Sequence, residues 1–157
     1  MKKAEFLGIA VMLNRAFGVV PLLYGSLGLE IRLGMSLNAD DVDILIPETV
    51  LFGEWDRLVS LMEKNGYRLC DAHEHAFEKS GVSAAFASLE NLRPFAGVDI
   101  DAIPVIREAG VSYLLLELPD YLKVYLASAQ DGYRKNVKNK QDEQKIRMIR
   151  SAIRGEQ

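Results

Sequence analysis

The sequence predicts an α+β domain in which helices flank a mixed sheet. Three observations predict it. Stretches with helical and with strand periodicity follow one another irregularly, unlike the regular strand–helix repeat of a doubly wound parallel sheet. The chain has 157 residues, 49% of them hydrophobic, 26% charged, with a net charge of −3, which suits one folded domain with one core, spanning 1–157. The last part of the chain, about 119–155, carries helical patterns only.

Each element follows from its own pattern. Phe6, Ala10, Leu13 and Phe17 recur at helical spacing, and Gly18 is a helix stop. Val19 to Tyr24 is a short β-rich run, and Pro21 removes one ladder donor, so the strand starts late. Gly25-Ser26 breaks it, and Leu27 to Leu33 is one or two helical turns ended by Gly34. Val42 to Ile46 is a second strand, stopped by Pro47. Trp55, Leu58, Val59 and Met62 form a helix stripe closed by Asn65-Gly66, with Trp55 read as packing. Tyr67 to Cys70 and His75 to Lys79 read as strands around a turn, and Val82 to Leu89 as another. Val98 to Ile103 alternates apolar residues with Asp99 and Asp101 and ends at Pro104, so it reads as a strand. Tyr113 to Leu116 is a short apolar run of either type. Pro119 suits a first helical turn, with Leu122, Tyr125, Leu126 and Ala129 as the buried face and Gly132 as the stop. Ile146, Ile149 and Ile153 give the last helix its core stripe, which leaves its basic residues mostly on the other side.

Composition excludes several classes. No apolar run reaches the roughly 18 to 20 residues of a membrane span. Asn14 and Arg15 interrupt the apolar N-terminus, unlike a signal peptide. Cys70 stands alone, which excludes an internal disulfide and a cysteine zinc site, and reads as a small buried hydrophobe. A cytoplasmic protein with no membrane partner is expected. Charge is uneven: Arg134 to Arg154 carries +6 and the remainder −9. A solvated helix face explains such a run, and so does a cationic wall facing phosphates.

Three short constellations carry chemistry, and a histidine pair is a weaker fourth candidate. Gly25-Ser26 lies between a strand and a helix, where glycine allows close backbone approach and the serine hydroxyl and following amides can hold phosphate; a plain turn is the simpler reading. Asp41-Val42-Asp43 heads an apolar strand. Its two carboxylates point to one face, about 6 to 7 Å apart, where a hard cation such as Mg²⁺ would relieve their repulsion. Asp99-Ile100-Asp101 repeats the pattern; were the two strands neighbours, four carboxylates would crowd one face. A polar solvent-facing strand remains the alternative for each pair. His73-Glu74-His75 sets two histidines on one strand face, either a zinc pair or, more simply, an exposed strand.

The run LYGSLGLEIRLGMSLNADDVDILIP, followed by VDIDAIP, resembles the signature of the nucleotidyltransferase superfamily with the polymerase-β-like fold. In layout it is similar to small lincosamide-type antibiotic nucleotidyltransferases and abortive-infection toxin transferases. The resemblance covers about residues 19 to 150. It implies a nucleotidyltransferase-like mixed sheet with a helical C-terminal segment. It implies catalysis by Asp41, Asp43 and Asp99, with Asp101 the alternative third carboxylate. The same four residues would ligate Mg²⁺, and Gly25 and Ser26, with Lys138 and Lys140 of the basic tail, would hold the phosphates of a nucleoside triphosphate. The implied reaction moves a nucleoside monophosphate to an acceptor hydroxyl on a small molecule, an RNA end or a protein. A homodimer is expected. The alternative is a non-catalytic relative that binds nucleotide or a partner protein, as in a toxin–antitoxin pair.

Overall fold

The computed structural model describes residues 2–130 and 139–155, with side chains in the second stretch from Asp142 onward. Helix α1, Lys2–Phe17, buries Phe6, Ile9, Ala10 and Leu13 and ends before Gly18, which takes the left-handed φ of 65° that favours glycine. Strand β1, Leu22–Tyr24, starts after Pro21 and runs directly into α2, Gly25–Leu33, which Gly34 closes. Strand β2, Asp41–Ile46, leads to the short α3, Glu48–Leu51, and to α4, Trp55–Lys64. Strands β3 (Arg68–Asp71), β4 (Ala76–Lys79) and β5 (Val82–Ser88) form a meander. Helix α5 (Leu92–Ala96) and a 3₁₀ turn (Ile100–Ala102) lead to β6 (Val105–Glu108) and β7 (Val111–Leu115). Helices α6 (Leu118–Gln130) and α7 (Asn139–Ile153) complete the described chain.

The seven strands form one mixed sheet in the order β3-β4-β5-β2-β1-β7-β6. Strand β2 is antiparallel to β1 and parallel to β5, and β1 is parallel to β7. The fold is α+β, as the sequence predicts. The pleat sorts β2 into two faces. Val42, Ile44 and Ile46 join the core under α1 and α4, together with Phe6, Leu13, Leu58, Met62 and Phe86. Leu45 joins the second core, where Leu22, Leu29, Tyr121, Tyr125, Ile146 and Ile149 pack under α6 and α7. Asp41 and Asp43 share that second face.

Four local expectations fail. Residues 98–103 form no strand: the Asp99 carboxylate accepts a hydrogen bond from the Asp101 amide at 3.1 Å and caps the 3₁₀ turn. That local bond offers the backbone an alternative to the ladder. The buried face of α6 is centred on Tyr121, Val124, Tyr125 and Ser128 rather than on Leu122 and Leu126, because α7 packs along it as well as the sheet. Cys70 is exposed, on the edge strand β3. His73, Glu74 and His75 lie in the β3–β4 turn, with His75 at a φ of 53° and its ring edge-on to Trp55, so they are not a strand pair. The ambiguous run near Tyr113 is β7. Gly132 lies outside the described residues.

Candidate nucleotide site

The site is built where β1 turns into α2. Tyr24 is extended, Gly25 has a φ of 64°, and no side chain caps the helix that begins there. Helix α2 thus starts two residues earlier than its apolar pattern suggests, and Gly25 and Ser26 are its first turn. The amides of that turn are uncapped donors at the positive end of the helix dipole. Asp43 sits opposite Tyr24 in the β1–β2 pairing. A Cβ at Gly25 would collide with the Asp43 carboxylate. Glycine is required here both by the backbone and by the approach of Asp43.

The packing behind this turn is equally close. A Cβ at Gly28 would collide with the Tyr121 hydroxyl and the Leu23 carbonyl. Tyr121, wholly buried, donates its hydroxyl to the Gly25 carbonyl at 3.3 Å. Burial, with smaller contributions from Tyr125, Tyr24 and Asp43, pushes its phenol well above the ordinary value, so it stays a neutral donor. Ahead of β2, the Glu30 carboxylate accepts the amides of Leu37 and Ala39, each at 2.9 Å, and fixes the chain leading to Asp41.

A fourth component arrives from the last helix. Lys145 donates to the Ser26 hydroxyl at 2.9 Å, and its ammonium lies 5.3 Å from the centre of the Tyr125 ring. Asp142, one turn earlier, is fully buried and accepts the Ser128 hydroxyl at 3.1 Å. Gly25, Ser26, Asp41, Asp43, Tyr125 and Lys145 all line one cavity of about 940 Å³. The cavity extends to the His73–His75 turn.

The structure therefore brings Gly25, Ser26, Asp41 and Asp43 together, but not Asp99 and Asp101. Those two lie off the cavity beside Arg93, whose guanidinium is 3.7 Å from Asp99 and 2.6 Å from Asp101. The face of β5 that adjoins Asp41 and Asp43 carries Ser83, Ala85 and Ala87 instead. The reading of Asp99 or Asp101 as a third strand carboxylate fails with the strand itself. Lys138 lies outside the described residues, as does the side chain of Lys140. Lys145 was missed because its neighbours on the Ile146–Ile149 stripe place the basic residues outward on average. The available signal was Asp142, a carboxylate on that same stripe.

Among the described residues, no three His, Cys, Asp or Glu side chains are placed to hold a metal ion by themselves. The hard oxygens of Asp41 and Asp43 on one strand face fit a cation that takes its remaining ligands from phosphate and water. Magnesium is commonly bound in that way.

No family model matches the chain. The "Uncharacterized protein YnaI" of Bacillus subtilis (strain 168) is 41% identical over 150 residues, which is 96% of each chain. The chain belongs to the YnaI family. Among solved structures, this YnaI-family chain is similar to ANT(2")-Ia in its crystal structure with adenylyl-2"-tobramycin, with a TM-score of 0.59 and 12% identity over 98% of this chain and 90% of that one. The solution structure of the antibiotic-resistance factor ANT(2'')-Ia gives a TM-score of 0.56 and 14% identity over 98% and 92%. This YnaI-family member thus shares the fold of ANT(2")-Ia. Its described residues contain no helix long and apolar enough to cross a membrane.

Proposed function

We propose that this YnaI-family protein is a Mg²⁺-dependent nucleotidyltransferase. It would move a nucleoside monophosphate from a nucleoside triphosphate to an acceptor hydroxyl and release pyrophosphate. The observation that carries the reading is the contact of the uncapped α2 N-terminus at Gly25-Ser26 with Asp43, inside a cavity that also holds Asp41 and Lys145. The residues that would hold metal and phosphate thus face the same space.

The amides of the first turn and the Ser26 hydroxyl would hold terminal phosphate oxygens, and Lys145 would neutralise part of their charge. Asp41 and Asp43 would hold Mg²⁺. Bound there, the ion would screen the triphosphate and stabilise charge on the leaving pyrophosphate. The acceptor oxygen would form a bond to the α-phosphorus as the bond from that phosphorus to the α–β bridging oxygen breaks, pyrophosphate leaving with the electron pair and the hydroxyl proton passing to water. The protein's share is positioning and charge neutralisation. ANT(2")-Ia, in complex with adenylyl-2"-tobramycin, is a precedent for the fold. The acceptor here would be a small molecule, an RNA end or a protein.

A second reading, nucleotide binding without transfer, draws on one observation: Ser83 and Ala85, neither of them a carboxylate, face Asp41 and Asp43 on β5. The deciding experiment offers radiolabelled triphosphates with Mg²⁺ to wild type and Asp43→Asn. Transfer of label by the wild type alone supports the enzyme. Binding without transfer supports the second reading, and no binding of any of the four triphosphates sinks both.

A further inference from the structure

Helix α6 touches the site three times, along one stripe. Tyr121, Tyr125 and Ser128 are spaced at i, i+4 and i+7, so they share a face. Each meets a different component. Tyr121 holds the Gly25 carbonyl, the Tyr125 ring lies beneath the Lys145 ammonium, and Ser128 holds Asp142. Asp142 and Lys145 are three residues apart, so the buried Ser128–Asp142 bond fixes the helix face from which Lys145 reaches out. Tyr125 is 6% exposed, and its ring stacks on that of Tyr121 at 6.2 Å with an angle of 21°. The ring under Lys145 is therefore itself immobilised.

We infer that Tyr125 is a positioning residue whose ring seats Lys145 over the Gly25–Ser26 turn, so that the ammonium meets the terminal phosphates of a bound triphosphate. This rests on the nucleotide reading above. A lysine has a flexible four-carbon stem and loses rotamer freedom when it binds. A ring face that attracts the ammonium before the ligand arrives removes part of that loss. The aromatic face is what meets the ammonium. Leucine at 125 would keep apolar bulk without the ring, and phenylalanine would keep the ring.

The test measures MgATP and AMP binding to the full chain by calorimetry. Tyr125→Leu is expected to weaken MgATP about five- to tenfold with AMP affinity unchanged. Tyr125→Phe should restore what Tyr125→Leu loses. Lys145→Ala should weaken MgATP, and adding Tyr125→Leu to it should cost nothing more. Wild-type side-chain resonances of Lys145 should also show the upfield ring-current shift of a group above an aromatic face. Equal MgATP affinity in Tyr125→Leu and wild type, additive losses in the double variant, or unshifted Lys145 resonances would each overturn the seat while the nucleotide reading survives. A wild type that binds no magnesium triphosphate would end both.

Discussion

Asp43 and Gly25 meet from opposite sides of the β1–β2 pairing, and each is constrained by the other. Asp43→Asn keeps the shape of the side chain and removes the charge that a cation needs. It is expected to cut Mg²⁺-dependent triphosphate binding about a hundredfold or more, read by calorimetry with and without the metal. Gly25→Ala adds a Cβ in the left-handed region, at about 1 to 2 kcal/mol, and drives it into the Asp43 carboxylate. Urea unfolding should show at least that loss of stability, and MgATP binding should fall with it. These residues were legible in the sequence because their chemistry is local: a glycine at a strand–helix junction and two aspartates two apart on a strand. Asp99 and Asp101 have the same spacing but lie on a turn. Spacing alone does not distinguish a strand from a turn in which one aspartate caps the amide of the other, two residues on.

At the scale of elements, the helical pair α6–α7 was legible as two helices but not as a wall of the site. Its buried stripe depends on which neighbours cover it, and the contact between Lys145 and Ser26 joins residues 119 apart in sequence. Periodicity reports that a helix has an apolar face and does not report what that face meets. The Ser128–Asp142 bond is the element-level feature with the clearest energetic signature. Ser128→Ala removes one donor from a fully buried carboxylate, which is expected to destabilise the protein by about 1 to 3 kcal/mol. The measurement is the urea midpoint at constant slope. A loss of that size would show that α7 is held by this bond as well as by Ile146 and Ile149, and that the Lys145 side of the cavity depends on it.

At the scale of the whole molecule, the α+β class was legible, while the strand order was not. Placing β2 between β1 and β5 depends on pairings between distant segments that no single window of sequence contains. The same long-range assembly ties the N-terminal end of α1 to two separate parts of the fold through tyrosines. The Tyr67 hydroxyl faces the Glu5 carboxylate at 3.4 Å. The Tyr113 hydroxyl donates to Glu108 at 3.1 Å, and Glu108 in turn pairs with Lys3 at 2.8 Å. Burial first, and then the adjoining carboxylate, pushes each phenol from about 10 up to about 12. A proton-bearing group with a raised folded-state value stabilises the fold fully below its unfolded value, and that contribution is lost as pH rises through the folded value. Stability should therefore hold up to about pH 10 and decline between about pH 10 and 12, as two tyrosinates would otherwise face Glu5 and Glu108. Urea midpoints followed across that range, together with tyrosinate absorbance, measure the decline. The Tyr67→Phe/Tyr113→Phe variant should show a shallower slope over the same window. An equal slope in that variant would assign the alkaline loss to other groups, with Tyr121, the wholly buried phenol beneath Gly25, the next to examine.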